Sequence, residues 1–136
     1  MRILGIDYGT VRTGLAISDT LGIIAQPSGL IKTSSLKELV NKISEKCKEL
    51  AVKKIVIGLP RHMSGEESVS SIKARELGDK LKERLGIPVC YCDERLSTCA
   101  AERALLEADM SREKRKEKID SVAASIILQN YLDMNS

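Results

Sequence analysis

The sequence predicts one α/β domain over residues 1–136, a mixed five-stranded sheet flanked by α-helices. Three observations carry that reading. Short apolar runs punctuated by Gly, Asp and Pro follow one another from Arg2 to Thr33. Two more, Lys54–Leu59 and Val89–Cys92, alternate with segments whose apolar residues recur every three or four positions. Finally, 136 residues with 43% hydrophobic side chains suffice for one core and are too few for a two-lobed enzyme.

Arg2–Ile6 reads as a buried strand and Leu15–Ser18 as its hairpin partner, joined through Asp7–Gly14, which holds two glycines and two threonines. Asp19 to Gly22 has Asp first and Gly fourth, as a type I turn prefers. Ile23 to Thr33 returns as a third strand, with Pro27 marking an edge or a bulge. Leu36, Leu39, Val40, Ile43, Cys47, Leu50 and Ala51 form one helical stripe, and Ser35 with Glu38 predicts a capping box at its start. Lys54–Leu59 is apolar enough for a strand buried on both faces. Beyond a polar loop, Arg61 to Glu67, a second helix puts Val69, Ile72, Leu77, Leu81 and Leu85 inward and stops at Gly86. Strand five, Val89–Cys92, precedes two further helices near Thr98–Ala108 and Lys114–Tyr131. Strands separated by helices are expected to be parallel, and the first three, with short connections, antiparallel.

Composition excludes several functions. With no Phe, no Trp and three Tyr, the core is aliphatic and base-stacking platforms are not expected. His62 is the lone histidine, which argues against a serine nucleophile activated by histidine. Cys47, Cys90, Cys92 and Cys99 lack the spacing of a zinc knuckle and suit reduced thiols in a cytoplasmic domain. Charged residues interrupt the amino terminus, so neither a signal peptide nor a membrane partner is expected.

Three acidic positions invite chemistry. Asp7 ends a buried strand where a carboxylate loses water and needs a cation or donors to stay charged, unless it merely caps its own turn near Gly9 and Thr10. Asp120 heads the apolar face Ala124, Ile127 or Leu128, Tyr131 of the last helix, although an acid early in a helix is also favoured by the dipole. Asp93 and Glu94 follow strand five, at the carboxyl end where open α/β sheets place ligands. Converging carboxylates suit Mg²⁺ or Mn²⁺, and two such ions can stabilise the attacking and leaving oxygens of a phosphodiester. Arg112, Lys114, Arg115, Lys116 and Lys118 outnumber two acids between 112 and 118, a local +3 equal to the charge of the whole chain. They would draw a phosphate backbone over Asp120. Thr10, Arg12, Arg61 and Arg95 are further candidates for substrate contact, set against ordinary loop and cap roles.

Four motifs together resemble the YqgF/RuvX family of bacterial RNase H-like proteins. They are Gly5-Ile-Asp-Tyr-Gly-Thr-Val-Arg-Thr-Gly14 with Ser18-Asp19, Gly58-Leu-Pro60 with Met63 and Gly65, Asp93-Glu-Arg-Leu-Ser-Thr98, and Ile119-Asp-Ser-Val-Ala-Ala124 with Tyr131-Leu132. The resemblance implies an RNase H-like fold with strand order 3-2-1-4-5 and a divalent-metal nuclease site from Asp7, an acid of the Asp93–Glu94 pair, and Asp120. Strand five then lies about 10 Å from strand one. Glu94 has the longer reach and joins Asp7 and Asp120 as expected metal ligand; Asp93 is nearer the strand. The role implied is trimming the 5′ end of pre-16S rRNA in the cytoplasm, with a ribosomal partner and a monomeric or homodimeric state both open. Alternatives are a Holliday junction resolvase-like endonuclease acting on branched DNA as a symmetric dimer, and a non-catalytic RNA-binding factor. Asp7-Tyr-Gly-Thr10 also resembles the first phosphate loop of actin-like and sugar-kinase ATPases, whose second lobe this chain has no room for.

Overall fold

The strands β1 (Arg2–Asp7), β2 (Arg12–Ser18), β3 (Ala25–Lys32), β4 (Val52–Leu59) and β5 (Val89–Asp93) form one sheet in the order β3-β2-β1-β4-β5. The computed structural model describes residues 1–59, 69–93 and 112–134, with Val69, Ser70, Asp93 and residues 112–120 described by backbone alone. β1 pairs antiparallel with β2, and β2 with β3; β1–β4 and β4–β5 are parallel. The helices are α1 (Leu36–Glu49), α2 (Val69–Leu85) and α3 (Arg112–Met134). The expected helix at Thr98–Ala108 and the loop at Arg61 to Glu67 lie outside the described residues.

Side-chain alternation along the strands feeds two cores. Leu4, Ile6, Leu15, Ile55 and Ile57 face α1 and α2, where they meet Leu39, Ile43, Leu77 and Leu81. Ile3, Ala16 and Val56 face α3 and meet Ala124, Ile127, Leu128 and Leu132. Each fully buried Leu or Ile contributes about 1.5–3 kcal/mol relative to exposure, so the aliphatic core needs no aromatic ring.

Local signals explain most boundaries. The Gly22 N–H donates to the Asp19 carbonyl at 3.1 Å, and Asp19 Oδ1 accepts from Ile23 N at 2.7 Å. These backbone bonds hold the Asp19 carboxyl below its ordinary pKa. Register shifts opposite Leu15 and Ala16, where Gly29 and Pro27 are successive partners, so Ser28 is the extra residue of a bulge in an edge strand. Gly86 ends α2 at φ +66°, its N–H donating to the Lys82 carbonyl at 2.9 Å.

Three expectations are corrected. Ile72 is 56% exposed, and Ser71, Ala74, Leu77, Gly78 and Leu81 form the buried stripe of α2 instead. Five residues separate Ile72 from Leu77, a step of about 140° around a helix, which takes it off the inner face. Ala51 is exposed at φ 54°, one residue past the Leu50 cap, rather than part of the α1 stripe. The capping box is half formed: Glu38 N donates to Ser35 Oγ at 3.3 Å, but the Glu38 carboxylate accepts from Thr33 Oγ1 at 2.9 Å. Thr33 Oγ1 in turn takes the Ser35 N–H at 3.1 Å.

Burial pushes the Cys47 thiol up to about 11. At pH 8 only about one molecule in a thousand then carries a thiolate there. Iodoacetamide at pH 8 is expected to leave Cys47 unmodified in the folded protein and to alkylate it within minutes in denaturant, as read by peptide mass spectrometry.

Candidate functional site

α3 runs antiparallel to β1, and close contacts fix its register. Lys54, paired with Ile3, has its Nζ 4.9 Å from the Tyr131 ring centroid. Further along β1, a Cβ on Gly5 would lie 2.8 Å from Leu128 Cβ and 3.2 Å from the Ala124 carbonyl oxygen. Glycine is what permits this approach. Ser121, nearly buried, donates from Oγ to the Leu15 carbonyl at 3.1 Å and accepts from Gly29 N at 3.4 Å. Leu15 is the partner of Ile6. Asp120 precedes Ser121 on α3, in the direction of the carboxyl end of β1 that carries Asp7.

The row of the sheet at Asp7 is flanked by glycines. Asp7 is 8% exposed and its register partners are Gly14 on β2 and Gly58 on β4, so neither adjoining strand sets a side chain next to it. It shares the α3 face of the sheet with Ile3 and Gly5, four and two residues earlier. Gly58 is followed in the row by Cys92. Burial, reinforced by Cys90, raises the Cys92 thiol, which keeps it a neutral, poor ligand. Among the described residues the carboxylate oxygens of Asp7 are hard donors of the kind a divalent cation such as Mg²⁺ or Mn²⁺ prefers.

The hairpin beyond Asp7 is closed by a residue the sequence reading did not single out. Thr13 Oγ1 accepts from Gly9 N at 3.4 Å and donates to the Gly9 carbonyl at 3.3 Å. A Cβ on Gly9 would sit 2.0 Å from the Arg12 carbonyl oxygen, so only glycine fits that turn. Thr10 is exposed on the rim, and Arg12 opens β2 opposite Lys32. Burial raises the Tyr8 phenol, with the Glu76 carboxylate adding to the shift.

The other candidates divide as follows. Asp93 ends β5, and its side chain is not among those described. Arg112, Lys114, Arg115, Lys116, Lys118 and Asp120 occupy the first three turns of α3, and their side chains are not among those described. Glu94, Arg61 and Arg95 lie outside the described residues. Among the described residues no group of three or more His, Cys, Asp or Glu side chains gathers; Asp7 is the one proposed ligand whose side chain is included. No helix among them is long and apolar enough to cross a membrane.

The missed features share one origin. Gly14 and Gly58 are visible as glycines, but their place beside Asp7 depends on strand pairing. Ser121 stands next to a suspected acid, and its bond reaches 106 residues back along the chain.

The sheet order β3-β2-β1-β4-β5 with helices on both faces is that of an RNase H-like fold. Over 100% of this chain and 97% of the other, the structure is similar to Thermus thermophilus RuvC solved in complex with a Holliday junction substrate, with a TM-score of 0.65 at 15% identity. The chain belongs to the RuvX family, whose model, described as Holliday junction resolvase, matches residues 1–134. Its relatives include a protein of Syntrophomonas wolfei, 47% identical over 100% of this chain and 96% of that one, and one of Caldanaerobacter subterraneus, 49% identical over 98% and 96%. Both bear the name "Putative pre-16S rRNA nuclease".

Proposed function

We propose that the chain is a divalent-metal-dependent phosphodiester hydrolase that trims the 5′ end of pre-16S rRNA during ribosome biogenesis in the cytoplasm. The observation that carries the reading is the buried Asp7 carboxylate between Gly14 and Gly58, on the face where α3 is anchored by Ser121, the residue after Asp120. The names borne by full-length relatives support the substrate.

Asp7 and Asp120 would hold the metal, with Glu94 as third ligand. Asp93 ends β5, and Glu94, the next residue, has the longer side chain and so the longer reach toward Asp7, which favours Glu94 over Asp93. Mg²⁺ or Mn²⁺, when bound, supplies charge to the attacking water and to the leaving oxygen. The chain's own part is positional. β1 holds Asp7 between the glycines of its two neighbouring strands, and the Ser121 bonds hold the adjoining turn of α3 in register. Arg112 to Lys118 precede Asp120 and attract the phosphate backbone, while Arg12, Arg61, Arg95 and the Thr10 hydroxyl contact it nearer the rim.

Purified protein with Mn²⁺ is expected to shorten a pre-16S RNA fragment at its 5′ side and to leave a four-way DNA junction intact. Cleavage of the junction in preference to the RNA would assign the chain to the resolvase activity. Binding of the RNA with no cleavage under any divalent cation would make it a binding factor and overturn the enzyme reading.

A further inference from the structure

On the face of the sheet opposite α3, a groove runs between α1 and α2. Its upper depression, about 130 Å³, begins at Tyr8, Gly9 and Thr10, the residues that directly follow Asp7. It continues into depressions of about 510 and 400 Å³: the first two share Leu36 and Glu76 in their walls, and the last two share Arg84. α1, with 14 residues, makes the track about 21 Å long.

Its charge sets it apart. Lys73, Lys37, Lys80, Arg84, Lys48 and Lys53 line the three depressions. Only Glu76 and Glu83 oppose them. The resulting net +4 exceeds the +3 of the whole chain, so the remainder of the molecule is net negative. Arg84 donates to Asn41 Oδ1 on α1, which holds its guanidinium across the groove. Leu36, Val40 and Leu85 give the floor aliphatic patches, and Tyr8, at the upper end, is the one aromatic ring among the described lining residues.

From this we infer that the α1–α2 groove is a track for single-stranded RNA backbone, holding the segment that flanks the cut after it passes over the carboxyl end of β1. The inference rests on the nuclease reading for its direction, since the groove opens at the Asp7 end of the sheet. The occupant follows from chemistry: repeated cations along a narrow, open channel match a polyanion, and with Tyr8 the one aromatic ring among the described lining residues, phosphates rather than bases are what most of the track can recognise. The track also lies on the other side of the sheet from the basic start of α3, so the two would grip the strand on opposite sides of the scissile phosphate.

Binding measured without divalent metal separates this proposal from catalysis. The probe is a single-stranded RNA of about twelve nucleotides in EDTA, followed by fluorescence anisotropy over a salt series. Each lost phosphate contact on a single strand lowers the slope of log K against log salt by about 0.7. Lys37→Gln/Lys80→Gln/Arg84→Gln is expected to lower the slope by about 2 and to weaken binding by roughly tenfold or more at low salt. Lys37→Gln/Lys80→Gln, which keeps the Arg84 bond to Asn41, is expected to lower it by about 1.4. Lys42→Gln/Lys82→Gln, two exposed lysines outside the groove, is expected to change it by less. A wild-type slope in both groove variants overturns the track even if Mn²⁺-dependent cleavage is found. Loss of self-association by light scattering, with the slope unchanged, overturns it in favour of a contact between copies. Intact groove binding with no cleavage under any metal would leave the track standing and defeat the nuclease reading instead.

Discussion

Asp7→Asn lowers Mn²⁺-dependent cleavage by about a thousandfold with the fold retained. A carboxylate that anchors a catalytic cation is worth several kcal/mol of transition-state stabilisation, and each 1.4 kcal/mol is tenfold in rate. Asn keeps the size of the side chain and one acceptor oxygen but loses the charge. Its strand partners, Gly14 on one side and Gly58 on the other, carry no side chain that could replace it. RNA binding in EDTA should stay within about twofold of wild type, because the cations proposed to hold the backbone are lysines and arginines elsewhere. Single-turnover kinetics and anisotropy on the same preparations read both quantities. Equal cleavage by variant and wild type would remove Asp7 from the site.

Gly5→Ala destabilises the protein by about 1–2 kcal/mol and slows cleavage roughly tenfold or more. The added Cβ would meet Leu128 Cβ at 2.8 Å and the Ala124 carbonyl at 3.2 Å, both close to the backbone of α3 and unable to swing aside. Overpacking of this kind costs about 1–3 kcal/mol. The offsetting gain from a less flexible unfolded chain is about 0.4–1 kcal/mol. The strain wins and α3 moves outward, carrying Asp120 away from Asp7. Displacement by 1 Å can cost about a hundredfold in rate. Urea unfolding and kinetics on one variant test the two consequences together. A variant as stable and as active as wild type would show that α3 does not depend on this contact to position its acid.

How much of this was legible depends on the range of the interactions involved. Apolar runs such as Lys54–Leu59 and the stripe Leu39, Val40, Ile43, Cys47 follow from local periodicity and appear where expected. β2 is longer than its apolar part, Leu15–Ser18, because pairing with β1 and β3 extends the ladder to Arg12. Ile72 misled because its apolar character outweighed its helical phase, whereas Ser71 and Ala74, less conspicuous, fill the inner face. Glu38 misled because Thr33 offers a closer partner than the Ser35 amide.

At the site, Asp7 and Asp120 stood out as acids in apolar surroundings, a property readable from neighbours in the chain. The strand order came from the family resemblance, and the sheet has that order. The glycines beside Asp7, the Thr13 closure of the turn and the Ser121 anchor were not legible. Each depends on partners that only folding brings together. The α1–α2 groove was equally hidden: its lysines are dispersed over α1, β4 and α2 and read individually as solvated helix and strand faces.

The central claim is that Asp7 and Asp120 hold one divalent cation between β1 and α3. Mn²⁺ binding followed by electron paramagnetic resonance on the metal-free protein tests it without any substrate. Wild type is expected to bind Mn²⁺ with its solution signal suppressed, and Asp7→Asn and Asp120→Asn each to weaken that binding by at least tenfold, with the double variant little worse than either single one. Mn²⁺ affinity unchanged in both single variants would contradict the account.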